Sequence, residues 1–329
     1  MRAIVLESYG DPEVLQAKEV PDPVPGPEEV LVDVVATAVN RADLLQRMGL
    51  YPDPGPPLEH EIPGLEFAGR VAAAGSRVRD WDAGDEVMGV VTGGAYAERL
   101  VTHERQIMRV PGTVGLPDAG GIAEVFITAY DALVLQGGLT SGGWALVHAG
   151  ASGVGTAAIQ ICKLLGARVA VTCSAGKVAA CEALGADVVV DYGSEDFVQR
   201  VREATGGGGV DVVLDVVGGD YVARNIRSCA VGGRIVQVGV MGGAMATVPV
   251  GELLPRRVSL TGTVLRARPL EEKIAITRRC AHDLLPAFDA GRLVPVIDRR
   301  MSLWDVATAH EYVATNANVG KVLLEVGTR

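Results

Sequence analysis

Two kinds of hydrophobic spacing divide the chain. Up to about residue 120, short β-branched runs are bounded by turn residues: VLVDVVATAV (30–39), EFAGRVAAAG (66–75) and DEVMGVV (85–91). They predict strands of an antiparallel, barrel-like domain, and MRAIVLESYG at the start also begins as a strand. Pro and Gly crowd PDPVPGPEE (21–29) and YPDPGPPLEHEIPG (51–64), which excludes central strands and helices there. RADLLQRMG (41–49) predicts a short helix, with Asn40 as N-cap and Asp43 near the positive end of the dipole.

Beyond about residue 120 near-continuous apolar cores alternate with helical segments. WALVH (144–148), RVAVT (168–172), DVVVDY (187–192), VDVVLDVV (210–217), RIVQVG (234–239) and SLTGTVL (259–265) suit strands covered on both faces, and the spacers between them can hold crossover helices. The prediction is an α/β fold with a doubly wound parallel sheet. PLEEKIAITRRCAHDLLPAFDAG (269–291) has helical spacing, and the remainder supplies a strand, a helix and a last strand expected to rejoin the first domain. A chain of 329 residues is long for one core, so two domains are expected.

The strand WALVH runs straight into HAGASGVGTA (148–157), and Val154, Ala158, Ile161 and Leu165 then form an apolar stripe on one helix face. Gly150 and Gly155 hold the outer places of a GxGxxG turn, with Ser152 in the middle place. A tight turn without a ligand is the plainer reading of such a pattern; strand, turn and helix in succession favour a dinucleotide site, whose phosphates meet a helix N-terminus. Ser152 adds a hydroxyl able to hydrogen-bond cofactor or substrate oxygen. His148, on the buried strand before the turn, reads as a core histidine. The second strand ends Cys173-Ser174-Ala175-Gly176-Lys177, without the acid that accepts from a ribose 2′-hydroxyl. Ser174 and Lys177 can instead donate to a 2′-phosphate, which favours NADP(H) over NAD; the plainer reading of Lys177 is a solvated lysine.

Composition narrows the partners. With 48% apolar and 21% charged residues the chain can bury sizeable cores, yet no apolar run reaches the roughly 20 residues that span a bilayer. The N-terminus lacks the organisation of a signal peptide, so no membrane association and a cytoplasmic location are expected. Five cysteines without a CxxC pair fit reduced, buried thiols. A net charge of −10 with no basic block argues against nucleic acid.

Several stretches together resemble the zinc-free quinone oxidoreductase branch (zeta-crystallin-like) of the medium-chain dehydrogenase/reductase superfamily, most of all its tumour-suppressor-inducible quinone oxidoreductases. These are NRADLLQRMGLYPDP (40–54), IPGLEFAGRV (62–71), HAGASGVGTAAIQ (148–160), GRIVQVGVMGG (233–243) and NANVGKVLLE (316–325). The resemblance implies a GroES-like β-rich catalytic domain (1–120 and 266–329) around a Rossmann NADP-binding domain (121–265), an active site in the cleft between them, and a homodimer formed through SLTGTVL. It implies Asn40 and Tyr51 at the nicotinamide end, with Ser152 on the opposite wall. Ser152, Gly153, Val154 and Gly155 would hold the pyrophosphate, and Ser174, Lys177 and Tyr192 the adenosine 2′-phosphate. Val238, Gly239, Met241 and Gly242 would follow the nicotinamide face, with Asn318 closing from the C-terminal segment. Plainer readings are packing for Tyr51, a strand-end ring for Tyr192 and a helix cap for Asn40.

The zinc alcohol dehydrogenases of that superfamily carry GHE where this chain has Gly64-Leu65-Glu66, and TAVNRAD holds no thiol. No cysteine precedes Cys162, so no metal is expected, and His60 has no partner ligands in the sequence. Without a Lewis acid, hydride transfer to a quinone or conjugated enone, which places charge on an already acidic oxygen, is the chemistry that remains favourable. The expected activity is NADPH-dependent reduction of a quinone-like acceptor by Tyr51, Ser152 and Asn40. The alternatives are an enoyl or 2-alkenal reductase, and a low-turnover NADPH-binding sensor or structural protein.

Overall fold

The computed structural model describes residues 1–51 and 59–327; the proline-rich run at 52–58, expected to be irregular, lies outside the described residues. The chain divides into two compact units, Met1–Glu124 with Arg266–Arg329, and Val125–Leu265.

The first unit opens with a hairpin of β1 (Arg2–Leu6) and β2 (Leu15–Glu19). There follow β3 (Glu29–Ala38), α1 (Arg41–Arg47), β4 (Glu66–Ala74), β5 (Glu86–Val90), β6 (Arg99–His103), β7 (Ile107–Arg109) and α2 (Leu116–Ala119). Val30, Val32, Val34 and Ala36 alternate inward along β3 and pack with Phe67, Tyr96 and Leu100, the period-two pattern of a half-buried strand. The sequence marked β3, β4 and β5 as β-branched runs bounded by turn residues, while β2, β6 and β7 were not marked.

After α3 (Ala123–Tyr130), the second unit alternates strand and helix. The elements are β8 (Trp144–His148), α4 (Gly153–Leu165), β9 (Arg168–Cys173), α5 (Val178–Ala183), β10 (Val188–Asp191), α6 (Phe197–Ala204), β11 (Val210–Asp215), α7 (Tyr221–Ser228), β12 (Cys229–Gln237), α8 (Val250–Arg256) and β13 (Ser259–Gly262). All six strands are parallel in the order β10-β9-β8-β11-β12-β13. This is the doubly wound sheet, and its direction of winding reverses between β8 and β11. Ligands of such sheets bind beyond the carboxyl ends of the strands at that reversal. Leu146, Val213, Ile235, Phe197 and Ile226 fill one face.

Strand β12 departs from the expectation by starting at Cys229 instead of Arg234. The glycine pair before Arg234 is accommodated inside the strand, with Gly232 at φ 82° and a register shift against β11 between Val210 and Val212. β13 stops at Gly262, short of the expected residue 265.

The chain then completes the first unit with α9 (Leu270–Asp289), β14 (Ile297–Ser302), α10 (Val306–Ala314) and β15 (Lys321–Glu325). β15 pairs antiparallel with β3, giving the sheet order β14-β15-β3-β4-β5-β7, with β6 also on β3. The last strand thus rejoins the first domain.

Candidate functional site

Strand β8 ends at His148, and the chain turns sharply before α4. Ala149 takes a left-handed conformation (φ 56°), uncommon for a residue with a Cβ, and its carbonyl accepts the Ser152 N–H at 2.9 Å. The turn is compact enough that a Cβ on Gly155 would lie 2.3 Å from the Ala149 oxygen. A Cβ on Gly150 would meet Val171 at 2.6 Å. The two outer glycines are therefore required by packing. Ser152 is tolerated in the middle place because it caps the helix: its Oγ accepts the Gly155 N–H at 3.0 Å. Gly153 and Val154 then begin α4, in the first turn, where N–H groups find no partner within the helix.

The neighbouring strand ends carry the other expected residues of this unit. Ser174 follows β9, Lys177 closes the short turn after it, and the Tyr192 N–H reaches the Cys173 carbonyl at 3.1 Å, so both strand ends lie side by side. The Tyr192 ring is 54% exposed. After β12 the chain folds back over the end of β11: Val238 donates to the Asp215 carbonyl at 2.7 Å, Met241 to that of Val216 at 3.2 Å, and Gly242 to that of Val217 at 2.7 Å. Ser152 to Gly155, Ser174, Lys177, Tyr192 and Val238 to Gly242 therefore share the carboxyl edge of one sheet.

The first unit holds Asn40, Tyr51 and Asn318. Asn40 is buried at the start of α1; its Oδ1 accepts from Lys321 Nζ at 2.6 Å, and its Nδ2 donates to Glu66 Oε1 at 3.0 Å. Lys321 and Glu66 form an ion pair at 2.8 Å with side chains 4% and 0% exposed. The second Glu66 oxygen accepts the Glu124 N–H at 3.0 Å. Asn318 donates to the Gly320 carbonyl at 2.7 Å, on the approach to β15.

The Tyr51 carbonyl accepts from Arg266 Nη1 at 2.9 Å, and that guanidinium lies 5.1 Å from the centre of the Tyr51 ring. Arg266 is 4% exposed and also donates to the Thr92 carbonyl at 2.6 Å. Burial, with the nearby negative charge of Glu124, pushes the Tyr51 phenol up to about 12 against the opposing pull of Arg266. At neutral pH it is a hydrogen-bond donor. Beside α1, the Tyr96 hydroxyl lies 3.1 Å from the Asp43 carboxylate and 3.2 Å from His310 Nε2. Burial raises Asp43 to about 6 and lowers His310 to about 3.

The five cysteines are all buried, none in a disulfide, and burial pushes the thiols of Cys162, Cys181 and Cys229 up to about 12. Among the described residues no helix is long and apolar enough to cross a membrane.

Residues 26–136 match the family described as alcohol dehydrogenase GroES-like domain, and residues 153–278 that described as zinc-binding dehydrogenase. The chain is 32% identical to the synaptic vesicle membrane protein VAT-1 homolog of Rattus norvegicus, over 99% of this chain and 84% of that protein. It superposes on the crystal structure of Escherichia coli quinone oxidoreductase complexed with NADPH with a TM-score of 0.89 at 30% identity, over 99% of this chain and 100% of the other. The chain belongs to the quinone oxidoreductase branch of the medium-chain dehydrogenase/reductase superfamily. It is an oxidoreductase with the two-part architecture of that superfamily. A further similarity is to 2-methylene-furan-3-one reductase of Solanum lycopersicum, at 34% identity over 60% of this chain; the match spans 53% of that protein.

One of the matched families is named for zinc, and the donor set here does not fit that ion. Leu65, where the resemblance to zinc alcohol dehydrogenases implied a histidine, is a buried aliphatic side chain, and both Glu66 oxygens are occupied by Lys321, Asn40 and the Glu124 amide. Among the described residues no group of three or more His, Cys, Asp or Glu side chains converges.

Three residues at these positions were missed in the sequence. Glu66 was read only as the last letter of a failed metal motif, Lys321 only as part of a matching stretch, and Arg266 not at all. A charged residue directly adjoining an apolar strand run, as Glu66 and Lys321 are, was the available signal.

Asp43 and His310 give the first unit opposing pH dependences. The folded chain keeps the Asp43 proton up to about pH 6, so that contribution is full at low pH and is lost as pH rises through about 6. His310 stays neutral when folded, so its contribution is full above about 6.5 and is lost as pH falls. Between about pH 4 and 6 the two oppose each other. Over that range Asp43→Asn should steepen the rise of urea stability with pH, and His310→Gln should flatten it, each by up to about 1.4 kcal/mol per pH unit. Slopes unchanged in both variants would contradict the assignment.

Proposed function

We propose that this chain is an NADPH-dependent quinone oxidoreductase that works without zinc. The observation that carries the reading is a phenol, Tyr51, held protonated beside a buried guanidinium, with no converging group of metal-ligating side chains among the described residues. NADPH, when bound, supplies the hydride. Gly153, Val154 and Gly155 would receive the pyrophosphate at the start of α4, a site that suits an anion by dipole and by N–H groups. Ser152 stays beside it, its oxygen engaged by the Gly155 N–H and its hydroxyl hydrogen left to donate. Ser174, Lys177 and Tyr192 would surround the 2′-phosphate, and Val238, Gly239, Met241 and Gly242 the nicotinamide; Asn318 would close over it. Asn40, with its amide fixed by Lys321 and Glu66, would offer a rigid polar group to the nicotinamide end.

Tyr51 would donate to the acceptor oxygen as charge gathers there, and the proton that completes the hydroquinone comes from solvent. A quinone oxygen is acidic enough once reduced that such a donor suffices. Reduction of an α,β-unsaturated carbonyl is the second reading, favoured by the similarity to 2-methylene-furan-3-one reductase. The first reading also includes a homodimer: β13 is an open sheet edge with all four residues exposed, and Leu260 is 47% exposed on it. A monomer in sedimentation at micromolar concentration would remove that part.

Steady-state oxidation of NADPH should be faster, as kcat/KM, with 9,10-phenanthrenequinone than with 2-hexenal, and the reverse order would install the second reading. Lys177→Ala should weaken NADPH about tenfold while leaving NADH nearly unchanged, the loss of one charge-assisted hydrogen bond. Equal losses for both nucleotides would remove its role. Tyr51→Phe should lower quinone turnover by about tenfold or more with the melting transition preserved; an unchanged rate would leave Tyr51 as a packing ring.

A further inference from the structure

His148 does more than fill the core of the nucleotide-binding unit. It lies at the end of β8, fully buried, with the rings of Phe197 and Tyr221 edge-on at 4.9 and 4.7 Å between centres. Both ring nitrogens are engaged: Nδ1 lies 3.0 Å from Thr172 Oγ1, and Nε2 lies 2.7 Å from Asn225 Oδ1. Asn225 in turn donates through Nδ2 to Asp215 Oδ2 at 2.8 Å. The other Asp215 oxygen accepts the N–H groups of Val217 at 2.6 Å and Gly218 at 3.0 Å. Thr172, His148, Asn225 and Asp215 are each at most 1% exposed.

The chemistry of the groups gives this chain one direction. Asn225 turns its NH₂ to a carboxylate that only accepts, so its carbonyl faces the imidazole, and Nε2 must carry the hydrogen. Nδ1 is then an acceptor and takes the Thr172 hydroxyl hydrogen. Donation runs from Thr172 through His148 and Asn225 to Asp215 without a break, and burial depresses the imidazole pKa, keeping it neutral in this role.

The two ends are what matter. The Thr172 carbonyl accepts the Gly150 N–H at 2.9 Å, and Thr172 stands two residues before Ser174. At the far end the Asp215 side chain shapes the turn at 216–218, whose carbonyls at Val216 and Val217 hold Met241 and Gly242. The Asp215 carbonyl also accepts from Val238, and Gln237 Nε2 bridges it to the Gly239 carbonyl at 3.1 and 2.6 Å. The polar chain therefore connects the strand end assigned to the adenosine phosphate with the loop assigned to the nicotinamide, beneath the turn assigned to the pyrophosphate.

We propose that Thr172, His148, Asn225 and Asp215 are positioning residues that couple the two halves of the dinucleotide site, holding the 238–242 loop in its binding position from the end of β9. This rests on the reading of that edge as an NADPH site. Cutting the chain anywhere along its length should loosen the nicotinamide half and spare the adenine half.

Calorimetric titration with NADPH and with adenosine 2′,5′-bisphosphate, which carries the adenine half alone, separates these effects. Asn225→Leu should weaken NADPH about tenfold and Thr172→Val about threefold, with the bisphosphate changed less than about twofold in both. Thr172→Ser, which keeps the hydroxyl, should bind both ligands as the unaltered protein does. If Asn225→Leu loses its cooperative melting transition, the two Thr172 variants decide. Parallel losses for both ligands, or none for either, would overturn the coupling while leaving the cofactor reading intact. Unaltered protein that binds neither ligand would overturn the cofactor reading, and the coupling with it.

Discussion

The ion pair between Glu66 and Lys321 is the contact on which the first unit depends. Two opposite charges lie inside a β-rich core at side-chain exposures of 0% and 4%, where desolvation opposes them strongly. They are tolerated because every strong partner is supplied locally: Asn40, the Val39 carbonyl and the Glu124 amide complete their hydrogen bonds. Losing one partner from such a pair typically costs about 3–5 kcal/mol, since the other charge is left behind. The pair also joins β4 to β15, and so binds the returning end of the chain to the sheet that the beginning of the chain built. Asn40 inherits its rigidity from the same contact.

The nucleotide-binding unit uses a different device. Its buried polar groups form a neutral chain ending on one carboxylate, and the charge of Asp215 is met by amide N–H groups instead of a cation. Arranged under the carboxyl ends of β8, β9 and β11, these bonds fix backbone loops, while the first unit fixes side chains. The two units thus brace their groups by different means. A phenol and an amide are braced by charges in one unit, and N–H groups and small residues are braced by hydrogen bonds in the other.

Much of this was legible in the sequence because it is written at short range. The turn-bounded runs of β3 and β4, the apolar cores of β8 to β11 and the turn at 148–155 are each signalled within about ten residues. Ser152, puzzling as a replacement for glycine, is explained by its neighbour three positions on. Glu66, Lys321 and Arg266 were not legible, since nothing near Glu66 announces that its partner lies in the last strand. The polar chain through His148 escaped for the same reason: Thr172, Asn225 and Asp215 belong to three different elements, and a lone histidine in a strand carries no sign of where its nitrogens point. The early start of β12 was hidden by Gly232 and Gly233, which interrupt the apolar run and in the structure form an irregularity within the strand.

That the first sheet takes its last strand from the far end of the chain has a consequence for biosynthesis. At about 5–20 residues per second, Lys321 leaves the ribosome roughly 10–50 s after Glu66. For that interval the nascent sheet lacks β14 and β15, and the carboxylate destined for its interior has no counter-ion and stays hydrated. The contiguous segment 125–265, translated whole in the meantime, can reach its final arrangement first. The first sheet therefore cannot be completed until residues translated after the second unit have been made.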